Sequence, residues 1–255
     1  MITAMGPEPV EPIENANFVE FKCPYCGKEV SFLETFIGRV QECPECFEAI
    51  VVPDEGEFGR KLELPIRTER LLLRALGEND AESLAEGFSE DETFRYCDAI
   101  SSDEAAIQKW LRAIAGSTLT TSDHALHLGI TLQSTEKLIG YVTISSQDLD
   151  HAEAALDVFV NPKFQKQGYG TEAMRAAIEF CFQQAGMHRL SAACHAKNMA
   201  SRRMLEKAGM RLEGEFRDNW FLRGEWVSTA YYAILESEHA QLQGPPPLKP
   251  KDSSL

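Results

Sequence analysis

Hydrophobic positions follow two alternating periods from Arg67 onward. Apolar residues recur at helical spacing in four segments, which predicts helices over residues 80–88, 103–115, 171–185 and 199–208. Short apolar runs and alternating segments predict strands at 71–73, 125–132, 137–145, 155–160, 189–195, 210–216 and 227–235. The early strands form a meander, and the later strands are interleaved with helices. This order predicts an α/β domain built on a mixed central sheet.

The prolines mark where this pattern begins and ends. Seven of the twelve lie at or before Pro65, four lie between Pro245 and Pro250, and only Pro162 falls between these groups. Proline denies helices and sheets a backbone donor, so the proline-rich ends predict little regular structure. The expected parts are a flexible arm at 1–20, a small module at 21–52, a linker at 53–65, the α/β domain at 66–240 and a flexible tail at 241–255. The linker predicts that the two folded parts fold separately.

Four cysteines in the small module form two CxxC pairs, Cys23 with Cys26 and Cys43 with Cys46, separated by sixteen residues. Two such turns supply four thiolates to one tetrahedral ion, which predicts a structural zinc ribbon. The metal would supply most of the folding free energy of so small a module. Iron in a rubredoxin-like site also suits four thiolates. The same cysteines would also allow disulfides, which are rare in a reducing cytoplasm, or a glutaredoxin-like redox site.

Composition and charge narrow the partners. The 255 residues are 44% hydrophobic, which is typical of a globular protein, and 40 acids against 25 bases give a net charge of −15. Such a chain is a poor general binder of nucleic acid or anionic membrane. Residues 1–66 hold 13 acids and 5 bases, so a structural or protein-docking ribbon fits better than a nucleic-acid-binding one. With no leader-like or membrane-spanning apolar run, the expectation is a soluble, cytoplasmic protein.

A glycine-containing loop lies between the strand ending at Val160 and the helix predicted from Thr171. Gly168 and Gly170 allow backbone N–H groups to approach a phosphate, and the helix N-terminus adds a favourable potential. Residues 163–217 hold ten bases and five acids, which supports an anion site, although a solvated basic face is the alternative. The glycines also match a dinucleotide fingerprint, but seven residues separate them from the strand and no acid follows at the distance that NAD requires.

Two segments together resemble the GCN5-related N-acetyltransferases, the GNAT family. They are Gln165-x-x-Gly168-x-Gly170, which is similar to the family's pyrophosphate loop, and Asn198-x-x-Ser201 followed by residues 205–210, which is similar to its second cofactor segment. The resemblance covers about residues 66–235. The run at 67–74 and Glu213-Gly214 resemble the RimJ/RimL branch, which acetylates the N-termini of ribosomal proteins. The resemblance implies a GNAT-type mixed sheet, here preceded by the zinc ribbon.

The resemblance also implies that acetyl-CoA binds between two splayed parallel strands, here 155–160 and 189–195. Backbone groups of Val158, Phe159 and Val160 would pair with the pantetheine arm. Loop groups would hold the pyrophosphate, and an asparagine would bond the pantetheine. These implied cofactor-binding residues are Gln165, Lys166, Gln167, Gly168, Tyr169, Gly170, Thr171 and Asn198.

Amine acetylation requires a base for the ammonium and favours a proton donor for the leaving thiolate. Ser201 resembles the donor proposed in the RimL branch; a hydroxyl that caps a helix is the alternative. Glu153, at the start of the central strand, is favoured as the base above Asp157. Either acid could instead be solvated, and the base could also be a water relay. The RimI-type pair is absent, because Ala193 and Leu205 occupy its positions.

The acceptor is expected to lie between segments 89–102 and 216–226. The predicted function is an N-acetyltransferase that moves acetyl from acetyl-CoA to a primary amine, with a protein N-terminal α-amine as the first hypothesis. Polyamines, aminoglycosides and other small amines are alternatives. A non-catalytic module that senses CoA or holds a partner is a hypothesis of a different class. Protein docking through the ribbon and a homodimer complete the expected partners.

Overall fold

The computed structural model describes residues 17–54, 59–89, 96, 102–117, 119, 125–148 and 151–243. The strands are β1 (Phe18–Lys22), β2 (Glu29–Leu33), β3 (Val40–Glu42), β4 (Ala49–Val51), β5 (Ile66–Arg67), β6 (Leu71–Ala75), β7 (Ala125–Leu132), β8 (Leu138–Asp148), β9 (Glu153–Val160), β10 (Arg189–His195), β11 (Arg211–Leu222) and β12 (Glu225–Leu235). The main sheet has the order β11-β12-β10-β9-β8-β7-β6-β5. Only β9 and β10 are parallel neighbours in it. The predicted mixed sheet is confirmed.

Five helices lie in the described part of the chain: α1 (Ala81–Phe88), α2 (Glu104–Ala113), α3 (Tyr169–Gln183), α4 (Met199–Lys207) and α5 (Glu236–Gln243). The side chain of Asp103 caps α2 by accepting from the Ala105 amide at 3.3 Å, as its position predicts. Helix α3 begins two residues before the predicted start at Thr171. Helix α5 was not predicted, because few of its residues are apolar and no helical period marks it.

The helices cover the two faces of the main sheet. Helices α3 and α4 lie on one face, where α3 buries Met174, Ala177 and Ile178. Helices α1 and α2 lie on the other face, where Phe88 of α1 contacts Phe159 of β9 with a centroid distance of 4.9 Å. The two faces therefore have separate apolar layers.

The parallel strands β9 and β10 separate partway along their length. Their ladder pairs Arg189 with Glu153 and ends at the pair of Ser191 with Ala155. Both strands continue, to Val160 and to His195. We call the space between 156–160 and 192–195 the β9–β10 opening. It leads to the loop before α3, because β9 ends there.

The residues from 18 to 52 form two matching halves, which we call the cysteine module. Strands β1 and β2 form one antiparallel pair, and β3 and β4 form the other. The turns match in their backbone hydrogen bonds, which are Cys23 N to Lys28 O, Gly27 N to Cys23 O, Cys43 N to Glu48 O and Phe47 N to Cys43 O. Strand β1 begins at Phe18, inside the predicted arm, because alternating Val19 and Phe21 pack into the module core.

The cysteine module packs against the α/β domain. The Val40 amide donates to the Ala185 carbonyl at 3.0 Å. Val40 and Ala49 belong to the same buried cluster as the core of the main sheet. At Gly186 a Cβ atom would lie 2.2 Å from the Gly38 carbonyl oxygen. The two parts therefore share an interface.

Several predicted segments fall outside the described residues. These are arm residues 1–16, linker residues 55–58, tail residues 244–255 and all of the acceptor segment 89–102 except residues 89, 96 and 102. In the part of the chain that the structure describes, no helix is both long and apolar enough to cross a membrane.

Candidate active site

The loop before α3 exposes a run of backbone amides. Gly168 is the N-cap of α3 with a φ of 86°, and Lys166 also has a positive φ, of 61°. Within the described residues, the backbone amides of 166–171 donate no hydrogen bond. The first hydrogen bond of the helix is donated by the Glu172 amide to the Gly168 carbonyl. Unpaired amides at a helix N-terminus form an anion site. The loop has the geometry that its glycines predict.

Gly170 lies where α3, α4 and β9 approach one another. A Cβ atom there would be 3.2 Å from Met204 Sδ and 3.5 Å from Val160 Cγ2. The position therefore has little space for a larger side chain, whereas its amide faces the loop.

Arg70 holds this loop from the side, a role that sequence reasoning missed. Its Nε donates to Glu172 at 2.7 Å, its guanidinium donates to the Gln167 carbonyl at 3.1 Å, and it stacks 4.5 Å from the centroid of Tyr169. Burial opposes ionisation of Glu172, but hydrogen bonds from Thr68 and Arg70 outweigh it and lower the pKa of the carboxyl. The only signal was the presence of Arg70 in the run at 67–74.

A groove of about 660 Å³ runs along the outer side of α3 and begins at Gly168. Arg70, Arg175 and Lys207 contribute to its lining. Glu69, Glu172 and Glu179 also line it, so the charge of the groove is mixed. The exposed amides before α3 are therefore the part of this region that suits a phosphate group.

The predicted residues at the end of β9 divide between the two sheet faces. Val158 and Val160 pack on the α3 side, while Phe159 packs against Phe88 on the other side. One edge of β9 pairs with β8, and the other faces the opening. Gln165 has an internal partner, because its Nε2 donates to the Val160 carbonyl at 2.9 Å. It therefore ties the loop to the strand end.

Asn198 and Ser201 lie at the start of α4. Asn198 is the N-cap, and its Oδ1 accepts from the Ser201 amide at 3.1 Å. The cap of this helix is therefore the Asn198 carboxamide and not the Ser201 hydroxyl. Ser201 is half-buried, and within the described residues its hydroxyl has no hydrogen-bond partner. It is available for another group.

Glu153 lies at the closed end of the β9–β10 ladder. Arg189 Nε donates to its carboxylate at 3.1 Å, and the same guanidinium donates to Glu213 at 2.6 Å. These contacts raise the pKa of Arg189, and Glu213 has a larger effect than Glu153. An ion-paired carboxylate away from the opening is poorly placed to accept a proton there. The geometry therefore favours Asp157 over Glu153, which reverses the order expected from their positions in the chain.

Asp157 lies level with the opening, on the α1 and α2 face. It pairs with Thr143 across β8 and β9, and it is solvent-accessible. Desolvation by the surrounding protein raises the pKa of its carboxyl. A reachable carboxyl with a raised pKa has the properties of a general base. The sequence signal was its place one position after Leu156, on the face opposite the core.

Aromatic side chains surround the other lip of the opening. Tyr96 contacts His195 with a centroid distance of 5.2 Å, and Phe216 contacts Tyr231 at 4.7 Å. Thr229 pairs with both His195 and Phe216, so these three residues form a row across β10, β12 and β11. Desolvation, with a smaller effect of Lys197, lowers the pKa of His195 and keeps it neutral.

A candidate metal centre lies in the cysteine module. Four Sγ atoms lie within 4.8 Å of one another, those of Cys23, Cys26, Cys43 and Cys46. The Sγ atoms of Cys23 and Cys46 are 3.7 Å apart, close to the ~3.8 Å that a tetrahedron of Zn–S bonds of about 2.3 Å requires. Burial raises the pKa of the Cys23 thiol, but hydrogen bonds from the backbone amides of Cys26 and Tyr25 outweigh this effect and lower the pKa to about 7. The donor set fits a thiophilic ion.

Comparisons with known proteins agree with this geometry. The chain matches the family described as Acetyltransferase (GNAT) domain over residues 70–211. It is 32% identical over 174 residues to YnaD, an uncharacterized N-acetyltransferase of Bacillus subtilis (strain 168), covering 68% of this chain and 98% of the relative. It is 24% identical over 176 residues to the ribosomal protein uS5-alanine N-acetyltransferase of Escherichia coli (strain K12), covering 66% of this chain and 91% of that one.

Among solved structures, a GNAT-family acetyltransferase from Bacillus anthracis has a TM-score of 0.60 at 27% identity, covering 68% of this chain and 99% of that one. The matched family model and these relatives identify the mixed sheet and its amide-lined loop as those of an acyltransferase. The chain belongs to the GNAT acetyltransferase family. It is an acetyl-CoA-dependent N-acetyltransferase, and the cysteine module precedes the matched region.

Proposed function

We propose that this protein transfers the acetyl group of acetyl-CoA to the α-amine of a protein N-terminus. The observation that carries the proposal is the β9–β10 opening. An amide-lined loop lies at its cofactor side, and Asp157 lies on the opposite sheet face. This arrangement supports entry of the thioester from one face and of the amine from the other.

The residues of the site suggest the following steps. The Asp157 carboxylate takes a proton from the acceptor ammonium, whose pKa is about 8 for an α-amine. The neutral amine then attacks the thioester carbonyl, so that a C–N bond forms and the C–S bond breaks. The thiolate takes a proton from the Ser201 hydroxyl. The new amide nitrogen releases its surplus proton to solvent, and Ser201 regains one from solvent. Asp157 returns its proton to solvent after the product leaves.

Cofactor binding would use groups that the structure leaves accessible. The amides of 166–171 would hold the pyrophosphate, and backbone groups of 158–160 would pair with the pantetheine arm. Asn198 uses Oδ1 for its cap, which leaves its Nδ2 group for the pantetheine.

Two observations support a polypeptide acceptor. The E. coli relative is named for an alanine of ribosomal protein uS5. Phe216 and Tyr231, beside the opening, are 56% and 38% exposed. Exposed aromatic rings suit apolar side chains that follow an N-terminus better than they suit a polyamine, which has no such side chains.

A substrate panel tests the proposed acceptor. The purified protein is incubated with acetyl-CoA and, separately, with peptides of different N-terminal residues, spermidine and a simple primary amine. We expect CoA release to be fastest with an unblocked peptide, and mass spectrometry should place the acetyl group on its α-amine. A peptide that is already N-acetylated is the control. Faster release with spermidine than with any peptide would replace this proposal by a polyamine acetyltransferase.

We also propose that the cysteine module is a zinc ribbon. The four clustered sulfurs and the matching turns support one tetrahedral ion, with iron as the alternative. Elemental analysis of the purified chain should find about one zinc. The variant Cys43→Ser/Cys46→Ser should lose it, because two thiolates hold zinc poorly. Cys181→Ser, which changes a buried cysteine outside the cluster, should keep it. Stoichiometric iron with a thiolate-to-iron absorption band would contradict zinc.

A further inference from the structure

A row of polar side chains crosses the sheet behind Asp157. His127 on β7 pairs with Thr143 on β8, and Thr143 pairs with Asp157 on β9. His127 Nδ1 and Thr143 Oγ1 are 3.0 Å apart, which is a hydrogen bond. Within the described residues no hydrogen bond joins Asp157 to Thr143. Directly opposed residues on antiparallel strands have Cβ atoms about 4.5–5.5 Å apart, so rotation of the Asp157 side chain brings its carboxyl to the Thr143 hydroxyl. The proposed function does not use His127 or Thr143.

Aromatic packing encloses the far end of this row. Trp110 on α2 contacts the His127 ring with a centroid distance of 5.6 Å, and it contacts Tyr141 at the same distance. Both His127 and Thr143 are half-buried. The hydrogen bond between the two side chains offsets the cost of placing polar atoms in this layer.

The protonation states decide how the row can be bonded. Desolvation lowers the pKa of His127, so its ring is neutral and carries one bare nitrogen. The Thr143 hydroxyl can donate one hydrogen bond and still accept another. If it donates to His127 Nδ1, its remaining lone pairs can accept only from a protonated Asp157. The row then favours the acid form of that carboxyl.

We propose that Thr143 and His127 are positioning residues that hold the proton on Asp157 during acetyl transfer, through a chain from Asp157 Oδ–H to Thr143 Oγ1 and from the Thr143 hydroxyl to His127 Nδ1. This inference rests on the proposed role of Asp157 as the base. The proton comes from the acceptor ammonium, stays on Asp157 while the amine attacks, and leaves to solvent. No proton needs to pass beyond Asp157, because the chain only stabilises the acid form.

Several other ionisable groups lie on the same face of the sheet as Asp157. On the strands they are His127, Tyr141, His195, Glu153 and Arg189, with Tyr96 beside His195, and Arg189 pairs with Glu153 and Glu213. On α1, Glu86 pairs with Lys137 and Lys163. The charged residues of α2 are Glu104, Lys109 and Arg112, and all are exposed. Glu104 accepts from Gln108, and Arg112 pairs with Glu78, away from the sheet. Charge on α2 therefore does not substitute for the row.

The first test needs no turnover. The carboxyl of Asp157 is titrated by NMR in protein labelled with 13C-aspartate, with Asp157→Asn to assign the signal. Thr143→Val removes the hydroxyl at almost constant volume, and we expect the Asp157 pKa to fall by about 0.5–1 unit, equivalent to one hydrogen bond. Thr143→Ser should keep the wild-type value. Ser145→Ala, one pair along the same face, is the matched control. A 15N spectrum should show His127 Nδ1 without a proton.

The second test is the pH profile of kcat/KM with acetyl-CoA and a simple primary amine. Thr143→Val and His127→Phe should each move the acidic limb to lower pH and reduce the plateau about three- to tenfold, because a weaker base remains. In Thr143→Ser, the acidic limb of the kcat/KM profile should lie at the same pH as in the wild type. An unmoved or raised Asp157 pKa in Thr143→Val overturns the inference, as does a proton on His127 Nδ1. Absence of turnover in the wild type with an intact NMR shift would refute the base assignment and not the row.

Discussion

The interface between the cysteine module and the α/β domain can be tested at one glycine. Gly186 has a φ of +62°, and a Cβ atom there would lie 2.2 Å from Gly38 O and 2.8 Å from Arg39 Cα. Both contacts are to backbone of the module, which cannot move aside as a flexible side chain can. We therefore expect Gly186→Ala to destabilise the protein through two separate effects.

The magnitude follows from these two effects. A left-handed conformation costs an L-residue about 1–2 kcal/mol, and overpacking typically costs about 1–3 kcal/mol. Gly116 provides a matched control, because its φ is +79° and a Cβ atom added there would have no neighbour within 4 Å among the residues that the structure describes. Gly116→Ala should therefore show only the first effect. The excess for Gly186→Ala should be about 2 kcal/mol, or about 4–8 °C in Tm for a chain of this size.

Differential scanning calorimetry of both variants measures this excess. Hydrogen exchange at the Val40 amide, which bonds to Ala185 O, reports separately on whether the module has detached. Detachment would accelerate this exchange even if the main transition moved little. Equal Tm values for the two variants, with Val40 still protected, would refute the close contact at Gly186 and the shared interface with it.

Three further predictions concern the active site. Gly170→Val should weaken CoA binding at least tenfold by calorimetry, about 1.4 kcal/mol, because the added side chain meets Met204 and Val160 and displaces the turn that carries the loop amides; Gly214→Val, where no described atom lies within 4 Å of the added Cβ, should not. Ser201→Ala should lower kcat with little change in acetyl-CoA affinity, whereas an unchanged kcat with a lower Tm would assign Ser201 a structural role only. Asp157→Asn should lower kcat/KM at least about 100-fold. Because the folded state raises the pKa of Asp157, the ionised group reduces stability as pH rises through the carboxyl range, so the Asn variant should be the more stable one at neutral pH in urea titrations.

Periodicity predicted seven of the eight strands of the main sheet and four helices; the two-residue strand β5 was too short to show a period. Strands β7 and β10 coincide with their predicted ranges, because polar residues flank their apolar runs in the sequence. Helix α5 was missed because it docks through single contacts, such as the 2.8 Å bond between His239 and Glu179, and not through an apolar stripe. Such contacts leave no period in the sequence.

In the candidate site, too, some features could be predicted from the sequence and others could not. Local features, the glycine loop and the CxxC turns, were predicted from short motifs because one turn contains all of their atoms. The choice between Glu153 and Asp157 depended on a distant partner, since only the fold shows that Arg189 engages Glu153. The row from Asp157 to His127 also joins three strands and has no motif. Residues brought together by strand pairing were therefore the part that sequence reasoning could not supply.

Helix α3 connects the cofactor loop to the cysteine module, and its length has a consequence for large substrates. Its fifteen residues span about 22 Å at about 1.5 Å per residue. The loop lies at its first turn, and the contact between Val40 and Ala185 lies just beyond its last. A molecule that touched the module while its amine reached the β9–β10 opening would have to bridge a distance of this order. Small metabolites are too short for that, so any acceptor that contacts the module and the opening at once would have to be a macromolecule.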